Sequence, residues 1–216
     1  MADAVDRVVC SLLAASPDLV AVVGGGPVQQ EFPAEAAGGL QQFGVDVTVG
    51  DGKPVLPLSL TVGRWLLTRA GVTPGRGDAP QVVFHSVDQY ALPAQARKLG
   101  VVLAERAPRV GILAMGDASA RRAREAPGAP DPQAQDYDED VAEALAAVDT
   151  HWLGRLSPAR DAELMVAGRA SWQVLAGAAE GTRMHGRLLC MAAPYGVTYL
   201  AAVWHEDAAL AETATS

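Results

Sequence analysis

The chain has 216 residues and a formal net charge of −8, with half of its residues apolar and 19% charged. That is the composition of an ordinary globular protein able to bury about 70% of its unfolded surface. The basic residues are dispersed apart from Arg121-Arg122-Ala123-Arg124, which excludes a nucleic-acid or anionic-membrane surface. No apolar run approaches the ~20 residues of a membrane span.

Taken in chain order, Val5, Val8, Val9, Leu12 and Leu13 share one face, so residues 2–15 read as an amphipathic helix that Ser16-Pro17-Asp18 ends. Leu19–Val23 is a short apolar strand closed by Gly24-Gly25-Gly26-Pro27. Val45–Val49 alternates as a second strand before a Gly50-Asp51-Gly52 turn. Residues 61–70 read as a helix with Trp65, Leu66 and Leu67 inward and Gly71 at its C-terminal end. Thr73–Pro80 is a Gly/Pro-rich loop, and Gln81–Val87 is a strand carrying His85.

Leu92–Ala107 predicts a helix with Pro93 in its first turn, where a missing N–H costs nothing. Val110–Met115 is an apolar strand, and Gly116-Asp117-Ala118-Ser119 follows it. Residues 126–135 form an irregular excursion. Further helices are expected over 137–148, from Ser157-Pro158 to about Val166, and over 172–179. Ser157 is the expected N-cap. Arg187–Met191 and Gly196–Trp204 read as two closing antiparallel strands, and residues 208–216 as a flexible tail.

This order implies an α/β three-layer sandwich, a central mixed β-sheet flanked by helices, as one domain over 1–207. Residues 120–180 read as a helix-rich insertion between sheet strands. Cys10 and Cys190, each in an apolar segment, are expected to be buried reduced thiols, which points to a cytoplasmic protein.

Ligands of open α/β sheets collect at the carboxyl ends of strands. The expected ligand cleft is therefore lined by Gly24, Gly25, Gly26, Gly116, Asp117, Ser119, Arg121 and Tyr195. The glycine run lacks the spacing of a dinucleotide or Walker loop, so close backbone passage is favoured over a phosphate cradle. His85, Asp117 and Ser119 are the catalytic candidates. No His pair has metal-binding spacing, no base neighbours Ser119, and no metal site is expected. Arg121 and Arg122 either grip an anion or pair with Asp117, Glu125 or the acidic run 136–143, the second being favoured. Trp172 and Trp204 are expected in the core.

Four segments carry a family resemblance: Pro17–Val23, Val110–Arg122, Glu163–Ala178 and Ala192–Val197. Through them the chain resembles the class III extradiol ring-cleavage dioxygenase-like superfamily, which includes the Memo-type proteins, and within it an actinobacterial subgroup of undescribed function. The resemblance implies Fe(II) held by two His and one Glu, a facial set that leaves positions open for catechol and O₂. It places one iron His on a strand ahead of the first helix, and the other at Gly25-Gly26 or Pro27. It puts a catalytic His at Ala120 and the Glu near Gly168-Arg169-Ala170. The given sequence opens on that helix, and none of the other positions carries the expected side chain.

The expectation is a metal-depleted, non-catalytic member that needs no cofactor. It would retain a cleft for a small anionic or aromatic ligand, or seat a partner subunit or a second copy of itself. The alternative is an active ring-cleaving dioxygenase that uses Fe(II) in a rearranged site with His85, Asp117 or His185.

Overall fold

The computed structural model describes residues 1–73 and 79–207. Most of the Thr73–Pro80 loop and all of the 208–216 tail lie outside the described residues.

Three apolar runs build the parallel centre: β1 (Leu19–Gly26), β5 (Gln81–Asp88) and β6 (Val110–Met115). A short strand, β2 (Gln30–Phe32), adds antiparallel to the outer edge of β5, giving the order β2-β5-β1-β6 and a mixed sheet. β1 is in the middle, with Val22 level with Phe84 on one side and Leu113 on the other. It is buried on both faces, which is why it reads as a continuous apolar run rather than an alternation.

Helices cover both faces. Val20, Val22, Phe84 and Leu113 meet Val9 of α1 (Ala2–Ala14) and Leu60, Leu66 and Leu67 of α2 (Leu58–Arg69). Ala21, Val23 and Val87 meet Ala96, Leu99 and Leu103 of α3 (Pro93–Ala104), with Ala170 and Val174 of α7 (Arg169–Ala178). The result is the expected α/β three-layer sandwich around a mixed sheet. Gly71 ends α2 at φ +82°, and Pro93 opens α3, both as the sequence predicts.

Several expectations are corrected. β1 does not stop at Val23: Gly24, Gly25 and Gly26 stay paired with Ser86, Val87 and Asp88. The strand expected over 45–49 shrinks to β4 (Thr48–Val49), paired with β3 (Gly38–Gly39), because Val45 and Val47 fold back to hydrogen-bond Leu40. The two closing strands, β7 (Met184–Ala192) and β8 (Tyr199–Glu206), do not join the central sheet but form a sheet of their own. That hairpin packs on α4 (Ala134–Ala147), and Trp204 Nε1 donates to the Leu145 carbonyl at 2.6 Å.

Residues 120–180 are not wholly an insertion either. A short α5 (Thr150–Leu153) and α6 (Pro158–Glu163) lead into α7, which is part of the sheet's covering layer. Ser157 occupies the N-cap position of α6 but makes no side-chain cap bond. Cys10 is exposed and Cys190 half-buried, so neither is a buried thiol. Among the described residues no helix is long and apolar enough to cross a membrane.

Candidate functional site

The carboxyl ends of β1, β5 and β6 carry most of the expected site residues, but the backbone there is closely packed. A Cβ on Gly24 would lie 2.4 Å from Ser59 Oγ, and one on Gly116 would lie 2.3 Å from the Gly168 Cα. The glycines are there to let α2 and the entry to α7 approach the strand ends. The Asp117 carbonyl accepts from the Ala167 and Gly168 amides at 3.1 and 2.8 Å, which locks the turn after β6 to the start of α7.

Ser119 is fully buried. Its amide and its Oγ both donate to Asp138, at 2.8 and 2.7 Å, and Thr198 Oγ1 donates to the same carboxylate at 2.5 Å. The Ser119 hydroxyl is therefore committed to structure, and it offers nothing to a ligand. Asp138 lies within the acidic run 136–143, yet it is completely buried. Arg122 Nη1 lies 3.5 Å from Asp138, so this arginine does meet the acidic helix. Arg121 is spent otherwise. It donates to the carbonyls of Ala129 and Glu163 and lies 3.6 Å from Asp131, tying the 126–133 excursion to the end of α6.

His85 is nearly buried, on the α3 face of the sheet. Its Nδ1 lies 3.4 Å from the Ser86 carbonyl and its Nε2 lies 3.9 Å from Glu31, which itself holds Arg106. Burial pulls the imidazole pKa below its usual value, against the pull of the Ser86 carbonyl and Glu31. Asp117 is three positions further along the sheet and two strands away, beyond the end of β6. Its half-buried carboxyl titrates above the usual carboxylate range through burial alone, with no ionic or hydrogen-bonding cause. Tyr199 faces it, and its own phenol is raised by burial and by Asp117. Tyr195 is 83% exposed and holds φ +55°, a costly conformation for a bulky residue.

The structure therefore does not bring His85, Asp117 and Ser119 together. Among the described residues, no three His, Cys, Asp or Glu side chains stand close enough to share a metal ion. His151, His185 and His205 are exposed, with His185 against Asp207 and His205 against Ser11.

Two features escaped the sequence reading. One is a fully buried ion pair between Arg169 Nε and Asp161 Oδ2 at 3.2 Å, completed by Tyr137, Gln173 and the Gln89 carbonyl. Its signal was an Arg-x-x-x-Gln spacing on an otherwise apolar helix. The other is an open depression of about 640 Å³ at the ends of β1 and β5, walled by Val28, Phe32, Val55 and Pro57 and rimmed by Gln30, Gln41 and Gln42. No motif marks it. Compared with known proteins, this α/β sandwich matches no family model and no curated protein.

Proposed function

We propose that the protein is a non-catalytic small-molecule-binding member of the class III extradiol dioxygenase-like superfamily. The observation that carries this reading is the dispersal of the chemistry. His85 is tied down on one face of the sheet, Ser119 is buried against Asp138, and Asp117 stands alone past β6. A facial iron site needs two imidazoles and a carboxylate converging on one point. Gly25, Gly26, Pro27, Ala120 and Ala170, where the resemblance would put donors, have none to give. The residues present do not fit the iron.

The test is metal content and oxygen uptake. After anaerobic incubation with Fe(II) and desalting, the protein is expected to retain far less than one iron per chain and to consume no O₂ with catechol. Stoichiometric iron, lost in His85→Ala and accompanied by O₂ uptake, would establish the dioxygenase alternative instead.

A second reading, a subunit that seats another chain, is supported by β7. Leu188, Leu189, Cys190 and Met191 are all half-exposed, and the strand pairs only with β8 among the described residues. Open apolar edges of this kind are usually covered. Light scattering that returns a mass above 22.4 kDa, reduced to that value by Leu189→Lys, is the expected sign of a second copy.

A further inference from the structure

In an open sheet a crevice forms where neighbouring strands send their exits to opposite faces. Here the chain leaving β1 passes Ser86 of β5 to form β2 on the outer edge of β5, and only after β3 and β4 does it return as α2 on one face, whereas β5 leads to α3 on the other. The 640 Å³ depression lies on that fork. Pro27 and Val28 leave β1, Ser86 is close to the end of β5, and Pro57 precedes α2. Its volume is in the range of small-molecule sites.

The lining restricts what can sit there. Ser86 Oγ donates to the Val28 carbonyl at 2.7 Å, so the floor is fixed and that hydroxyl is occupied. Val28 and Val55, each 54% exposed, offer apolar surface to a flat ring. Gln41 Nε2 donates to Thr48 Oγ1 at 2.6 Å, which anchors the rim. The side-chain amides of Gln30 and Gln42 make no protein hydrogen bond among the described residues, and each presents a donor beside an acceptor. Among the described residues no Asp, Glu, Lys, Arg or His lines the depression. An ionic ligand would lose water there and gain no counter-charge.

We propose that this depression binds an uncharged planar heterocycle, its face against Val28 and Val55 and a cyclic-amide edge read by Gln30 and Gln42. A primary amide pairs with a cyclic amide through two complementary hydrogen bonds, which an anion or a plain hydrocarbon ring cannot reproduce. The proposal rests on the binding half of the functional reading and is indifferent to whether iron is held.

Lumichrome, an uncharged fluorescent tricycle with such an edge, is the probe. It is titrated into the full chain beside its doubly N-methylated form and naphthoate. Lumichrome is expected to saturate with a Kd on the order of micromolar. The methylated form should bind about ten-fold more weakly, the size of one lost hydrogen bond, and naphthoate should not saturate. Gln42→Ala and Val55→Asp, both at exposed positions, should each weaken lumichrome about ten-fold with an unchanged circular dichroism spectrum. Absence of lumichrome binding up to about 1 mM overturns the proposal. So does equal affinity for the methylated form, or unchanged affinity in both variants. None of these outcomes alters iron content or O₂ uptake, so failure here is distinguishable from failure of the functional reading.

Discussion

Gly100 on α3 and Gly177 on α7 mark the point where the two helices over the second face of the sheet cross in backbone contact. A Cβ on Gly100 would lie 2.0 Å from the Val174 carbonyl oxygen, and one on Gly177 would lie 2.1 Å from that of Arg97. Because the obstructing atoms are backbone, no rotamer change relieves the clash. α7 delivers Ala170 and Val174 to the core and its entry holds the turn after β6, so pushing it away disturbs both. Gly100→Ala is expected to cost about 3 kcal/mol, at the upper end for overpacking. Urea unfolding checks this, and a midpoint equal to wild type would contradict the crossing.

Asp138 is the hub that joins three separate pieces of chain. It accepts from the Ser119 amide and hydroxyl and from Thr198, and it faces Arg122. Asp138→Ala would strand two hydroxyls, an amide and a guanidinium in the interior. Losing one partner of a buried charged cluster costs about 3–5 kcal/mol. The expected sign is a thermal midpoint many degrees lower, with faster proteolysis in the excursion after Ala120. Ser119→Ala removes one donor together with its need for a partner, and is expected to cost about 1 kcal/mol. A Ser119→Ala loss as large as that of Asp138→Ala would show that the serine, and not the carboxylate, is the hub.

What the sequence revealed follows from where each element gets its hydrogen bonds and its burial. β1 and most of β5 are buried on both sides, so their apolar runs announce them, and β6, half-buried at the edge of the sheet, still reads as an apolar run. β2 has only Gln30, Glu31 and Phe32, and it exists because the edge of β5 offers it partners; no local pattern encodes that. The burial of Asp138 was legible in principle. Asp138, Val141, Ala142 and Leu145 recur at helical spacing and share the buried face of α4, but a run of acidic residues masks the phase. The candidate site was the least legible part. Gly24 to Gly26 and Gly116 look the same in sequence whether they admit a phosphate or a neighbouring helix, and only the positions of Ser59 and Gly168 decide between the two. The amides of Gln30 and Gln42 carry no motif at all.

The Asp161–Arg169 pair gives stability a pH dependence of defined sign. Burial pushes the Asp161 carboxyl up to about 6 from 3.8, although the Tyr137 hydroxyl at 2.6 Å, Arg169 and Arg160 all pull it down. The folded state therefore holds this proton to higher pH than the unfolded chain does. Its contribution is fully present below about pH 4 and is lost as pH rises through about 6, a span on the order of 3 kcal/mol. Asp161→Asn keeps an acceptor for Tyr137 and has no proton to lose, so it should flatten the slope of unfolding free energy between those two pH values. A variant that retains the wild-type slope would assign it to another group.

Asp117 has the opposite design, a half-buried carboxyl with nothing to offset its burial. Its pKa is raised by desolvation alone, and it also holds up the phenol of Tyr199. A raised carboxyl pKa means that ionisation costs the folded state more than the unfolded one, so the penalty is present at neutral pH and vanishes below the unfolded value of 3.8. Asp117→Asn removes the charge and keeps the shape, and the Asp117 backbone bonds that hold α7 are unchanged. The variant should melt higher than wild type at pH 7.5, and the gap should close as pH approaches 4. Equal melting at pH 7.5 would mean that solvent already satisfies Asp117, and would leave the turn after β6 as a packing device alone.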